Sequence, residues 1–478
     1  MDLRSFHFVL KIGGLIEMEE KVTMNKMGIV PIPKILLTMG IPMIFSMVLQ
    51  ACYNIVDSIF VAGIPDQDGI LHMGEKAMNA LTLAFPVQML IVALAIGTGV
   101  GVNALLARTL GQKDMEKVSR VAGNGVFLGF VIYAVFVLFG LFGVDLYLKT
   151  QTEDTVVLEM AGSYLRICSL LCVGNVMFAV YEKLLQSTGK AVFSTISQIG
   201  GALVNIVLDP ILIYGLIGLP AMGVAGAAWA TVIGQWVSMF LGAFLHYKKN
   251  HEVKSGLSYV KPNKRVIFEI YQIGFPAIIM QALMSFMTYG INIIFKVVSD
   301  GAVTAYGVFY KIQQFLFFAG FGLRDAITPI VSFNYGMGAK KRVNQGIRYG
   351  LLYTEIIMFF GIFVLEIFAE PLVSLFHLTS QTTELCILAI RIISPGFLLA
   401  GINIALQGVF QALDCGFGSL VVSLLRLLVV VLPLAWLFAR MENASFMIWF
   451  AFPLAEAAAV VAALLFLASV HRKMKHQK

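Results

Sequence analysis

Long apolar runs recur along the whole chain, and one of them continues unbroken from Val126 to Val144. A helix needs roughly 20 mostly apolar residues to cross a bilayer, whereas the strands of a membrane β-barrel are short and alternate in polarity. Breaks that contain charged residues, Gly or Pro divide the runs into candidate spans. Twelve spans are predicted, at residues 34–63, 77–108, 118–146, 155–181, 191–217, 222–247, 266–298, 302–333, 343–368, 383–412, 417–439 and 444–470.

Composition agrees with this pattern. Of the 478 residues, 59% are apolar and 13% are charged, whereas a soluble chain is about 45–50% apolar and about 25% charged. A soluble globular enzyme is therefore excluded. The sequence predicts an all-α polytopic membrane protein with two pseudo-symmetric six-helix lobes.

The positions of the basic residues explain the net charge of +7. About three quarters of the 34 Lys and Arg residues fall in the connections on one side, for example Lys113, Lys183 and Lys248. Cytoplasmic loops collect Lys and Arg, so both termini are predicted to be cytoplasmic in a multi-pass protein of the cell membrane. The charge reflects topology, and no nucleic-acid partner is expected.

An internal repeat divides the spans six and six around the longest polar connection, from His246 to Arg265. A shift of 225 residues superimposes Gln88 on Gln313 and Arg166 on Arg391, among other polar matches. The predicted organisation is a cytoplasmic tail (1–33), an N-lobe (34–247), a cytoplasmic linker (248–265), a C-lobe (266–470) and a second tail (471–478). Because six is even, the lobes share one orientation, and the substrate is expected to bind between them.

Two acidic residues inside the spans are the leading functional candidates. Charge at bilayer depth is costly and usually faces a cavity or a partner. Asp57 and Asp209 reach a similar depth in the first and fifth spans, and each has an amide within one turn, Asn54 and Asn205. With the hydroxyl of Thr231, these groups suit a proton or a hard monovalent cation. The alternative is that Asp57 caps a frayed helix end and Asp209 merely precedes the Pro210 break.

The C-lobe lacks both acids, because the equivalent positions are Ile291 and Leu434. Arg324 and Asp325 are predicted to form a structural ion pair, with a cytoplasmic gate contact as the alternative. Arg166 and Arg391 are expected to share an architectural role. Four further intramembrane charges have no assigned partner: Lys311, Glu355, Arg426 and Glu456.

Other chemistry is disfavoured. No phosphate loop, HExxH pair or GxSxG elbow is present, so neither ATP-driven transport nor hydrolysis is expected, and the chain is predicted not to be an enzyme. The five Cys residues lie in or beside apolar segments without metal-site spacing. No cofactor is predicted beyond a coupling ion.

Several motifs together resemble the multidrug and toxic-compound extrusion (MATE) transporters. They are Gly40-Ile-Pro42, Tyr53-Asn-Ile-Val-Asp57, Gly97-x-Gly-x-Gly101 with Leu110-Gly-Gln-Lys-Asp114, Gln186-Ser-Thr-Gly189, Asn205-Ile-Val-Leu-Asp209-Pro210, Gly223-Val-Ala-Gly-Ala-Ala228 and Pro329-Ile-Val-Ser-Phe-Asn-Tyr-Gly336. The resemblance implies a V of two lobes that exports drugs in exchange for Na⁺ or H⁺. It also implies a cation site at Asp57, Asn205, Asp209 and Thr231, which would hold Na⁺ through Asp57, Asn205 and Asp209, and a bending proline at Pro42.

The resulting prediction is a secondary active exporter of amphipathic or cationic organic compounds, expected to act as a monomer in membrane lipid. The cavity candidates are Gln88, Gln281, Tyr289, Asn292 and Gln313. An alternative in the same superfamily is a lipid-linked oligosaccharide flippase, which should carry a cationic cluster for pyrophosphate. An alternative of another class, a membrane scaffold or receptor, gives no reason for paired acids at this depth.

Overall fold

The computed structural model describes residues 25–66, 73–376 and 378–476, with all side chains except those of residues 54, 55, 257 and 473–476. Every regular element in these ranges is helical. Most of the predicted tail 1–33 lies outside the described residues. The first half comprises α1 (Lys26–Ile29), α2 (Ile32–Ala62), α3 (Met73–Gly111), α4 (Met115–Phe142), α5 (Val144–Lys149), α6 (Thr155–Leu170), α7 (Val173–Ser187), α8 (Ala191–Tyr214), α9 (Gly223–Lys249) and α10 (Leu257–Val260).

The second half follows the same order of long and short helices. It comprises α11 (Lys264–Val298), α12 (Asp300–Gly336), α13 (Lys340–Ile367), α14 (Ala369–Ser374), α15 (Ser380–Ile393), α16 (Phe397–Ala412), α17 (Gly416–Leu424), α18 (Val431–Phe438), α19 (Ala444–Met447) and α20 (Ala451–His476). Two 3₁₀ turns (Ser394–Gly396 and Ile448–Phe450) and a π-helical turn (Leu425–Val429) join some of them.

The predicted number of spans is confirmed. Eleven helical stretches in the described residues are long and apolar enough to cross a membrane, and α6 with α7 makes a twelfth. The fourth span is not the single straight helix expected, because α6 and α7 meet at 44°. At this break the indole N–H of Trp236 donates to the Leu171 carbonyl at 3.0 Å, which satisfies a backbone group that the bend releases.

Polar caps set where several helices begin. The Asp114 side chain accepts from the Lys117 N–H at the start of α4, and Asn263 accepts from the Arg265 N–H at the start of α11. Each cap satisfies an amide that has no partner within its helix. These short, capped turns let successive spans reverse direction.

The two halves approach most closely where α3 meets α11 and α12. A Cβ at Gly101 would lie 2.2 Å from the Ile270 carbonyl oxygen, and one at Gly111 would lie 2.1 Å from the Phe333 carbonyl oxygen. Both positions require glycine, because a side chain would meet the backbone of the other half. Small residues thus allow direct contact between helix backbones, as is common inside membranes.

Both termini lie at one end of the bundle, which we call the terminal face. Near the N-terminus, the Asn334 amide donates to the Met27 carbonyl at 3.0 Å, and the Arg342 guanidinium donates to the Val30 carbonyl at 2.7 Å. The amide of Asn25 donates to the Thr188 carbonyl at 2.9 Å. The segment around α1 therefore bridges the halves at the terminal face, and the inter-half contacts described above lie in the part of α3 nearest to it.

Candidate cation site and central cleft

Polar contacts align α2 with α8 and thereby set which residues face each other. The Gln198 amide donates to the Gln50 side-chain oxygen at 3.2 Å, and the Tyr214 hydroxyl donates to the Phe60 carbonyl at 2.7 Å. The two helices run in parallel between these contacts. Asp57 follows Gln50 by seven residues, about two helical turns, so it lies on the face of α2 that packs on α8.

The same register brings Asp57 to the depth of Asn205 and Asp209. The Asn205 amide donates to one Asp209 oxygen, Oδ1, at 3.3 Å. Three buried oxygens have no hydrogen-bond donor among the described residues: Asp57 Oδ1, Asn205 Oδ1 and Asp209 Oδ2. Buried acceptors without donors are costly, so this arrangement of oxygens suits a proton or a cation.

The oxygen set also limits the kind of cation. In the described residues no three His, Cys, Asp or Glu side chains gather as a metal site would require. Two carboxylates and an amide remain, which are hard oxygen ligands. Within α8, Pro210 supplies no N–H to the Ile206 carbonyl, so a backbone oxygen beside Asp209 is also relieved of its usual helical bond.

Thr231 lies in α9 at the same depth. A Cβ at Gly226 would meet the Leu212 carbonyl at 2.5 Å, and one at Gly234 would meet Asn205 Cβ at 2.9 Å. Because Thr231 stands between these two contacts, it lies level with Asn205 and Asp209. Asn54 is one turn before Asp57 in α2, but its side chain is outside the described part of the structure.

Two tyrosines that are not among the predicted site residues lie near Asp57. Tyr53 precedes it by one turn on the same face of α2 and interacts electrostatically with Asp57 and Asp209. Tyr164 in α6 is also within electrostatic range of Asp57, and its hydroxyl accepts from the Gln88 amide at 2.9 Å. The spacing of Tyr53 was a usable signal, whereas nothing in the sequence connected Tyr164 with Asp57.

Gln88 and Gln313 face the interiors of their own halves. Gln88 bonds to Tyr164 of the first half. Gln313 lies two turns before Gly320, and a Cβ at Gly320 would meet Met358 and Ile404 of the second half.

The other cavity candidates face the first half. Gln281 follows Gly274 by about two turns, and Asn292 follows it by five. A Cβ at Gly274 would lie 2.8 Å from the Gly97 carbonyl oxygen of α3, so this stripe of α11 is turned toward the first half. Tyr289, three residues before Asn292 in the same helix, is 70% exposed. Pro42 lies inside α2, which continues helically from Ile32 to Ala62.

A buried ion pair joins the halves near the terminal face. Lys183 Nζ of α7 lies 2.7 Å from Asp325 Oδ2 of α12, and these side chains are only 2% and 7% exposed. Arg324 donates to the other Asp325 oxygen at 2.9 Å. The predicted Arg324–Asp325 pair is present, but placing Lys183 in a connection was wrong. Its ammonium is buried because an acid from the other half compensates it.

The second half has an internal polar cluster instead of paired acids. Arg426, in the π-helical turn, bonds to Glu456 Oε1 through its Nε at 2.9 Å. The Asn403 amide donates to the other Glu456 oxygen at 2.8 Å. Glu355 lies beside Gly401, and its Oε1 has no donor among the described residues. Arg426 and Glu456 are therefore partners, an assignment that the sequence left open.

Arg166 and Arg391 make equivalent contacts. Arg166 pairs with Asp145 in α5, and Arg391 pairs with Glu370 in α14 at 3.9 Å. The two acids are separated by the same 225 residues as the two arginines. This repeated pair supports the internal duplication.

Comparison with known proteins agrees with the architecture. The family model MatE matches residues 42–211 and 276–437. The multidrug export protein MepA of Staphylococcus aureus (strain MRSA252) is 26% identical over 436 residues, which cover 91% of this chain and 93% of that protein. MepA of Staphylococcus saprophyticus is 24% identical over 428 residues, covering 89% and 91%.

Solved structures share the fold. A crystal structure of MATE in complex with MaL6 has a TM-score of 0.87 at 23% identity and covers 95% of this chain and 99% of that chain. An outward-facing multidrug resistance MATE family transporter of the MOP superfamily also has a TM-score of 0.87 at 23% identity, covering 96% and 99%. Since the two matched segments together span more than half of the chain, the protein belongs to the MatE family of membrane transporters.

Proposed function

We propose that the protein is a multidrug exporter that exchanges amphipathic or cationic organic compounds for Na⁺ or H⁺ by alternating access. The observation that carries this proposal is the set of three buried, donor-free oxygens on Asp57, Asn205 and Asp209. Exporters of this kind need a site whose occupancy by the coupling ion changes the balance between two conformations. Thr231 and Asn54 complete the proposed site, and the multidrug export proteins named above are consistent with the substrates.

The position of the site supports coupling. Asp57 and Asp209 each lie five residues before the ends of α2 and α8, about 7 Å from the helix ends opposite the terminal face. The contacts that close the cleft, including Lys183–Asp325, lie toward the terminal face. A cation arriving from the opposite side can therefore reach the acids while the terminal face is closed.

A proton or cation bound there neutralises the negative charge on Asp57 and Asp209, so the two carboxylates no longer have to stay hydrated or apart. The neutralised site favours closer packing of α2 on α8, and Pro42 is the proposed point at which α2 bends in response. This change repacks the first-half wall of the cleft and lowers its affinity for substrate. Gln281, Tyr289 and Asn292 form the proposed opposite wall.

The terminal face is proposed to be cytoplasmic, in the cell membrane, because the basic connections lie on that side. The proposed organisation keeps the boundaries 34–247 and 266–470 for the two lobes, with 1–33, 248–265 and 471–478 as tails and linker.

The lipid-facing surface needs no second copy, and a monomer is proposed. No enzymatic step is assigned.

A flippase for lipid-linked oligosaccharides is not favoured. Arg324 and Arg426 are each paired with an acid, Asp325 and Glu456. Of the scattered cations Lys311, Arg324 and Arg426, only Lys311 has no acidic partner among the described residues, and one lysine is not the cationic cluster that a pyrophosphate would need.

The test is accumulation of a fluorescent cationic dye inside inverted membrane vesicles, where export from the cytoplasmic face moves the dye into the lumen, under a Na⁺ gradient or a pH gradient. Under whichever gradient drives transport by the wild type, Asp57→Asn should abolish transport. The variant should still insert into the membrane like the wild type. Asp145→Asn, which alters an exposed acid paired with Arg166, is the matched control and should retain efflux. Wild-type efflux rates in Asp57→Asn would refute the cation site.

A further inference from the structure

One intramembrane cation is used by neither the proposed cation site nor any ion pair in the described structure. Lys311 lies eleven residues after the first residue of α12, about 16 Å along the helix, and its side chain is exposed. No acid among the described residues lies within ion-pair distance of it. A lone ammonium facing lipid at this depth would be costly, so its direction decides what it can do.

The contacts of α12 show that Lys311 faces the other half. Gly322 follows it by eleven residues, about three turns, and therefore shares its face. A Cβ at Gly322 would lie 2.7 Å from the Ile44 backbone of α2. Asp325, about four turns beyond Lys311, reaches Lys183 of the first half.

Nearer the opposite face, this side of α12 borders open space. Gly307 lies one turn before Lys311, and a Cβ there would meet nothing within 4 Å. Where the halves touch at Gly322, the same face is closed. Lys311 therefore lines the cleft, on the second-half wall.

The surroundings leave this charge available. The helices α12 and α2 run antiparallel from the contact between Gly322 and Ile44. Lys311 precedes Gly322 by eleven residues, so it lies level with the α2 residues about eleven positions after Ile44, which form the turn before Asp57. The Asp57 side chain lies on the α2 face that packs on α8, so it is turned into the first half. The ring contact of Phe295 with Tyr306, at 5.3 Å, places Lys311 level with Tyr289. Tyr289 and Asn292 add hydrogen-bonding groups to the same wall.

We propose that Lys311 is the anion-binding residue of the cleft and selects transported amphiphiles that carry a carboxylate. This inference rests on the proposed export function and adds a substrate class to it. The ammonium is a compact charge with three donors, and in a cleft of low dielectric it makes charge-assisted hydrogen bonds to a carboxylate. A substrate with both an amine and a carboxylate would place its anionic end on this wall.

The experiment compares two dyes that share one skeleton, a rhodamine with a free carboxylate and its methyl ester. Purified wild type, Lys311→Gln and Lys311→Arg are reconstituted in phosphatidylcholine vesicles, where no anionic lipid competes. Lys149→Gln is the control, since Lys149 is an exposed lysine at the end of the short helix α5, which lines neither proposed wall of the cleft. Binding of both dyes to the purified proteins is measured by fluorescence anisotropy in parallel.

Lys311→Gln should weaken binding and transport of the free acid about tenfold or more, the loss expected for one hydrogen bond to a charged group. The ester should change less than about twofold on the same argument. Lys311→Arg should retain binding and transport of the free acid, and Lys149→Gln should change neither dye. Equal loss of both dyes in Lys311→Gln, an unchanged free acid, or a wild type that moves only the ester would each overturn the assignment.

The same assay separates this inference from the proposed function. A wild type that exports the ester in a gradient-dependent manner upholds the export function even where Lys311→Gln fails to discriminate. A wild type that moves neither dye under either gradient would refute export, and the Lys311 assignment would fall with it.

Discussion

Replacing Lys183 by methionine should shift the protein away from the state in which the terminal face is closed. Lys183 connects α7 of the first half to α12 of the second through Asp325, with only 2% of its side chain exposed. Methionine has a similar length and no charge, so it keeps the packing and removes the bond. In an open state, water would reach Asp325, and the lost partner would matter less.

The magnitude follows from the remaining contacts of Asp325. Arg324 still donates to Oδ1 through both Nε, at 3.1 Å, and its terminal nitrogen, at 2.9 Å. At Asp325 only Oδ2 loses its donor, at a cost of about 1.5–3 kcal/mol for a hydrogen bond to a charged group. This corresponds to a change of about 10- to 150-fold in the ratio of closed to open protein. The bond from Lys183 to the Gln186 side-chain oxygen lies within α7, so its loss is common to both states and leaves the ratio unchanged.

A second inter-half pair provides the control. Lys117 pairs with Glu269 between α4 and α11, and these side chains are 30% and 19% exposed. Solvent screening limits such a pair to about 0–1 kcal/mol, so Lys117→Gln should change the ratio less than about fivefold.

The assay is the distance distribution between spin labels at Gln112 and Lys341, exposed positions on the two halves near the terminal face. Lys183→Met should increase the population at longer distances, while its melting midpoint shows that the protein remains folded. A distribution identical to the wild type, or an equal shift in Lys117→Gln, would refute the reasoning.

Two further predictions concern packing and charge. Gly101→Ala should lower the melting midpoint and the efflux rate, because its Cβ would lie 2.2 Å from the Ile270 carbonyl oxygen. Gly307→Ala is the control: its Cβ meets nothing within 4 Å, so this variant should melt no lower than the wild type. Equal melting midpoints for the two variants would contradict the close approach at Gly101. The hydrogen bond from Lys76, together with those from the Val157 and Val156 amides, lowers the pKa of Asp154. The folded state therefore favours the ionised carboxylate. The resulting stabilisation of the fold is full above the ordinary Asp pKa of about 4 and is lost as the pH falls through the lowered pKa. Asp154→Asn preserves a helix cap, so its melting midpoint should lie below that of the wild type at neutral pH and approach the wild-type value in acid. A difference in melting midpoint that does not depend on pH would exclude the charge as the cause.

The number, order and helical nature of the spans could be read from the sequence because the bilayer imposes a local requirement. Each span must satisfy its own backbone and present an apolar surface over a known length, and runs such as Val126–Val144 carry that information without reference to the rest of the chain. The amides near Asp57 and Asp209 were also visible locally, through helical spacing. The 225-residue repeat was visible because both copies keep matching polar residues.

Tertiary packing alone decided which distant groups meet. Lys183 and Asp325 are 142 residues apart in different halves, and in the sequence Lys183 resembles any basic residue at a helix end. Its burial depends on the approach of α12, just as the position of Tyr164 near Asp57 depends on how α6 packs against α3 and α9. Side chains at bilayer depth are charged at low cost only where a partner, an ion or a water-filled cleft faces them. The sequence determines which residues carry that charge, whereas the relative positions of the helices determine what each one faces.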